Sequence, residues 1–237
     1  MKNLFIQILL IFSAPCLLYA QVDTVGNFII SSGINKVSFF NFVENKSLEL
    51  NVENPSLDYN DFDDDGMNEV LIIGQQKFHN ITTYFVLIYK VDQYINLIDS
   101  IISGVQKPEL IFSTEAEQVV LAVGYSEFDS FNFNSKSYYS PIKLLSYDGE
   151  QFFIDFEEFF DILIKENDEI FAQLDDEFSN NGLNCNTTSL NMAAIGALYV
   201  NYLNAGEKAM AEHVLDSFYF CNDRLEFTTK LKNILTE

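Results

Sequence analysis

Three short apolar segments recur at nearly even spacing through the first two thirds of the chain: Asn27-Phe28-Ile29-Ile30, Asn68-Glu69-Val70-Leu71-Ile72-Ile73 and Pro108-Glu109-Leu110-Ile111-Phe112. Taking Asn27, Asn68 and Pro108 as equivalent gives separations of 41 and 40 residues. Further apolar runs follow each segment, and the last two runs of each unit are joined by a polar turn. These turns lie near Glu44-Asn45-Lys46, at Asp92-Gln93 and at Asp148-Gly149. Asp-Gly between apolar runs marks a hairpin, because glycine accepts the positive φ of a tight twisted turn. β-Branched and aromatic residues fill the runs, which suits pleated, half-buried strands.

A period near 40 with several strands per unit has the form of a propeller blade. Three units are fewer than the roughly 4–8 blades of a free-standing propeller. The alternative is a plain β-sandwich with evenly spaced hairpins. The third unit carries an insertion, Glu127 to Ser140, containing Phe128, Phe131, Phe133, Tyr138 and Tyr139. Such a loop either presents aromatic contact anchors or folds back on its own core.

From Glu157 the spacing changes from strand-like to helical. Phe156, Phe160, Leu163, Ile170, Leu174 and Phe178 share one helical face, and Asn180-Asn181-Gly182 ends that stretch. Thr188 or Ser189 caps a helix running through Tyr202, Asn204-Ala205-Gly206 stops it, and a second helix runs from Glu207 to Phe220. Asn222 or Asp223 caps a third. The fold class expected is therefore α+β, mainly β: about three blade-like antiparallel units over residues 21–156, then a small helical bundle over 157–237.

The strongest chemical signal is the acidic loop Asp61-Phe62-Asp63-Asp64-Asp65-Gly66-Met67-Asn68-Glu69, with carboxylates at positions 1, 3, 5 and 9. Alternate residues of a curled loop point to one centre, Gly66 permits the bend, and the Met67 carbonyl can add a backbone oxygen. Carboxylates so close repel without a cation, and hard oxygens in a flexible loop suit Ca²⁺ better than Mg²⁺. An EF-hand would want Glu at position 12. That position is Ile72, inside a run that reads as a strand. A solvated acidic turn is the plain alternative.

The stretch Tyr59 to Ile72 resembles the FG-GAP / VCBS repeat of secreted and cell-surface β-propellers, the integrin α chain among them. The resemblance implies Ca²⁺ on Asp61, Asp63, Asp65, the Met67 carbonyl and Glu69, in a loop between blades. Glu69 departs from the usual Asp. The first and third units lack the loop: Gly104-Val105-Gln106-Lys107-Pro108-Glu109 keeps only its tail, with Lys107 near a ligand position. One calcium site is expected.

Compartment follows from the ends of the chain and from cysteine. Lys2, the apolar run Leu4 to Phe12 and the small residue Ala20 before Gln21 describe a secretory signal peptide over residues 1–20. A retained anchor is the alternative, and no later segment is apolar enough to span a bilayer. Cleavage removes Cys16 and leaves Cys185 and Cys221, expected to pair in an oxidising compartment. An antiparallel helix hairpin brings both to one end.

Charge narrows the function. With 35 Asp and Glu against 13 Lys and Arg, a formal charge of −22 and a single Arg, the chain lacks the clustered cations that a nucleic-acid backbone requires. The segment Asp148 to Glu177, with twelve carboxylates and one Lys, suits either a solvated helix face or a basic partner. Only His79 and His213 are available as imidazole bases, and no nucleophile elbow, zinc-binding His pair or phosphate loop is present. The expectation is a secreted or periplasmic, calcium-binding, non-catalytic module that recognises protein or glycan. Two alternatives are a secreted inhibitor of a cationic enzyme and a polysaccharide hydrolase using two carboxylates.

Overall fold

The computed structural model describes residues 21–78, 80–132, 138–181 and 190–235. The expected signal segment 1–20, His79, Phe133, Gly182, Cys185, Thr188 and Ser189 lie outside these residues. The described chain is α+β and mainly β, with three four-stranded antiparallel sheets followed by helices.

Each sheet is a meander. Sheet I holds β1 (Val22–Val25), β2 (Phe28–Ser32), β3 (Lys36–Asn41) and β4 (Lys46–Asn51) in that order. Sheet II holds β5 (Glu53–Asn60), β6 (Glu69–Phe78), β7 (Ile81–Val91) and β8 (Ile95–Gly104). Sheet III holds β9 (Glu109–Ser113), β10 (Gln118–Gly124), β11 (Ile142–Tyr147) and β12 (Phe152–Ile154).

This grouping corrects the phase of the expected repeat. Asn27 and Asn68 both lead into the second strand of a sheet, whereas Pro108 leads into the first. The second strand of sheet III begins at Gln118, so the even spacing of 41 and 40 residues equated β9 with β6. The acidic loop consequently joins two strands of one sheet and does not lie between sheets.

Alternation along the central strands explains why the sheets stack. In β6, Val70 and Ile72 face sheet I, packing with Phe28, Ile30, Val37 and Phe39. Leu71 and Ile73 face the other way and meet Leu121, Val123 and Leu145 of sheet III. In β10, Val120 and Ala122 then turn outward onto Phe159, Ile162 and Leu163 at the start of α1 (Phe160–Asn181). A strand with apolar residues on both faces is stable only when both are covered, and sheets II and III meet that condition.

The helices α1, α2 (Leu190–Asn204), α3 (Lys208–Phe218) and α4 (Arg224–Ile234) form a second core that the aromatic insertion enters. Ser126–Asn132 is a 3₁₀ helix whose Phe128 and Phe131 rings stack at 4.7 Å and pack among the helices with Tyr125 and Tyr139. The described part of the insertion therefore folds inward at Phe128, Phe131 and Tyr139, which are not exposed anchors, whereas Tyr138 is exposed. Gly196, midway along α2, makes this approach possible, because a Cβ there would lie 2.9 Å from Phe128 Cζ. Asp223 stands at the start of α4 but caps nothing with its side chain; its carboxylate accepts the Tyr219 hydroxyl at 2.9 Å. Among the described residues no helix is long and apolar enough to cross a membrane.

Candidate metal centre

The loop is closed by the β5–β6 hairpin, where Asn60 pairs with Glu69. Sheet I makes the equivalent turn through Gly26-Asn27 and sheet III through residues 114–117, so the long acidic connection belongs to sheet II alone. Two residues adopt left-handed backbone, Asp64 at φ 55° and Gly66 at φ 85°. Nothing lies within 4 Å of a Cβ added at Gly66, so glycine is favoured there by the dihedral and not by crowding.

Backbone N–H groups hold the carboxylates in place. Asp65 N donates to Asp61 Oδ1 at 3.1 Å and to Asp63 Oδ1 at 3.3 Å. Gly66 N donates to Asp61 Oδ2 at 2.8 Å, and Met67 N donates to Asp65 Oδ1 at 2.8 Å. Phe62 N donates to Glu69 Oε2 at 3.0 Å. The result is a group of three, Asp61, Asp63 and Asp65, with one oxygen from each lying within 4.8 Å of the others. A cation bonding to oxygen at about 2.3–2.6 Å reaches across such a spread. Met67 itself is exposed.

Glu69 is placed differently. It is fully buried at 0 % exposure, and its Oε1 has no hydrogen-bond partner. Burial, followed in order by the Phe62 N–H that opposes it and by the Asp63 charge, leaves its carboxyl above the usual range. A buried carboxylate oxygen without a hydrogen bond is costly unless a cation lies close to it.

The partial counter-charge comes from Lys90, a residue that the sequence reading did not single out. The Lys90 ammonium sits 2.7 Å from Asp63 Oδ2, 2.7 Å from Asp65 Oδ2 and 4.0 Å from Glu69 Oε1. Hydrogen bonds to Asp63 and Asp65 push its pKa up, and the Lys90 contact holds the Asp65 carboxyl below its ordinary value. The signal was present but faint: Lys90 is the only basic residue of β7, set in an aromatic and β-branched strand.

Elsewhere, Cys221 is disulfide-bonded, and its expected partner Cys185 lies outside the described residues. His213 meets Ser217 at 3.4 Å along one exposed helix face. Comparison with family models, with curated proteins and with solved structures finds no match.

Proposed function

We propose that this chain is a secreted or cell-surface calcium-binding module that works by binding a protein or glycan rather than by catalysis. The observation that carries the reading is the convergence of Asp61, Asp63 and Asp65 near the buried Glu69, whose Oε1 has no hydrogen-bond partner and shares the Lys90 ammonium with Asp63 and Asp65. In this reading those four side chains and the Met67 carbonyl hold Ca²⁺, and the ion neutralises carboxylates that otherwise repel. Three sheets stacked face to face support the kinship with FG-GAP / VCBS repeats, with each sheet taken as one blade. The leader-like first twenty residues and the disulfide at Cys221 support an oxidising destination. Inward packing of Phe128, Phe131 and Tyr139 directs the search for a partner surface away from those rings.

Equilibrium dialysis against Ca²⁺ tests the site. Melting in chelator should fall by several degrees relative to millimolar Ca²⁺ in the native protein, with no such difference in Asp63→Ala/Asp65→Ala. A partner captured from envelope extract should survive moderate salt and be released by chelator. Release by salt alone would instead favour the acidic inhibitor.

A further inference from the structure

Lys90 occupies the oxygens that the ion needs. Of the two Asp63 oxygens, Oδ1 accepts the Asp65 N–H and Oδ2 accepts Lys90. Of the two Asp65 oxygens, Oδ1 accepts the Met67 N–H and Oδ2 is 2.7 Å from the same ammonium. Each of these carboxylates therefore has one oxygen fixed by the backbone and one by Lys90. Building on the metal reading above, we infer that Lys90 is a resident counter-ion that an incoming divalent cation must displace, and that it thereby sets the affinity and charge selectivity of the site.

The charges make the exchange directional. Four carboxylates with one ammonium leave a net charge of about three negative units, so Lys90 keeps the loop folded without saturating it. Asp61 makes no ion pair with Lys90 among the described contacts, and Glu69 Oε1 lies 4.0 Å away, beyond hydrogen-bonding reach. Replacing the ammonium by Na⁺ or K⁺ exchanges one unit charge for another and gains little. Replacing it by a divalent ion adds a charge and supplies the Glu69 oxygen with a partner. Lys90 is anchored on a strand, and its side chain is partly exposed, so the head can swing toward water while its stem stays on the sheet.

The test compares the mature full-length protein with Lys90→Met and Lys90→Gln, using CaCl₂ as the probe. Calorimetric titration should show at least about tenfold tighter Ca²⁺ binding in both variants. In chelator both should melt below the native protein, and saturating Ca²⁺ should abolish that deficit. Equal or weaker binding in the variants, with the native protein still binding Ca²⁺, overturns the role of Lys90 and leaves the metal site standing. No binding in the native protein or in either variant overturns both. The native protein provides an independent readout that requires no variant to fold. Amine labelling of Lys90, followed by mass spectrometry, should rise severalfold on adding Ca²⁺, and unchanged or reduced labelling contradicts displacement.

Discussion

The ring of Phe62 meets the ring of Phe152 edge to face, with centroids 5.1 Å apart and planes at 86°. Phe62 is the second residue of the acidic loop and Phe152 opens the last strand of sheet III, so this contact ties the candidate metal centre to the neighbouring sheet. Both belong to the core between sheets II and III. Phe62→Ala should lower stability by about 2–3 kcal/mol and weaken Ca²⁺ binding, since the loop loses its fixed end. A double-mutant cycle with Phe152→Ala should return a coupling of about 1 kcal/mol in urea melts. Additive losses would show that the rings pack independently.

One buried amide joins sheet III to the helices beside the apolar contacts of α1. Ile142 N donates to Asn201 Oδ1 at 3.0 Å, a buried bond joining β11 to α2. Asn201→Leu removes the acceptor and leaves that N–H in an apolar setting, so a loss of about 1–3 kcal/mol is expected. Asn201→Asp retains an acceptor but buries a charge. At neutral pH it should therefore also destabilise, and it should recover as the carboxyl protonates in acid. Equilibrium unfolding across pH distinguishes the two.

Asp129 gives the molecule a pH dependence of predictable sign. Burial pushes its carboxyl up to about 6, against the opposing bond from Val105 N at 2.9 Å. Below the unfolded value, near 4, the group is neutral in both states and its burial carries no charge penalty. As pH rises through about 6 the folded state must hold a buried carboxylate, and stability is lost. Asp129→Asn keeps an acceptor for Val105. Its advantage over the native protein should grow from near zero at pH 4 to on the order of 2 kcal/mol at pH 7. A difference independent of pH would refute this.

The bond at Cys221 closes a loop across α2 and α3 if its partner is Cys185. Peptide mapping without reduction should recover residues 185 and 221 in one linked fragment. Cys221→Ser, or reduction, should cost roughly 3–4 kcal/mol on the chain-entropy argument. A linkage to any other residue in the mature protein would remove the helix-hairpin explanation.

Much of the secondary structure was legible because local chemistry decides it. The Asp148-Gly149 turn does join β11 to β12, and the stop at Asn204-Ala205-Gly206 falls at an observed helix end, whereas the expected stop Asn180-Asn181-Gly182 runs past the described residues. The acidic loop was legible for the same reason, its candidate ligands all falling within nine consecutive residues. The phase of the repeat was not. β5 reads Glu-Asn-Pro-Ser-Leu-Asp-Tyr-Asn, an edge strand with little apolar signal, and β1 is only four residues long. Without those two strands the spacing between stronger segments misassigned β9. Lys90 was hidden because its meeting with Asp63 spans 27 residues and two strand pairings. Inward packing of Phe128 and Phe131 likewise depends on helices that begin far downstream.

The stack has unequal ends. At one end α1 lies over Val120, Ala122 and Leu144, while at the other Ile29 and Phe40 remain 36 % and 37 % exposed on sheet I. Lengthening the protein by duplicating a four-strand unit is therefore feasible only ahead of Val22. The same graft placed after β12 would have to prise α1 off and strand Phe159, Ile162 and Leu163 in water. Architecture of this kind has a direction of growth written into it, much as a thread has a knot at one end.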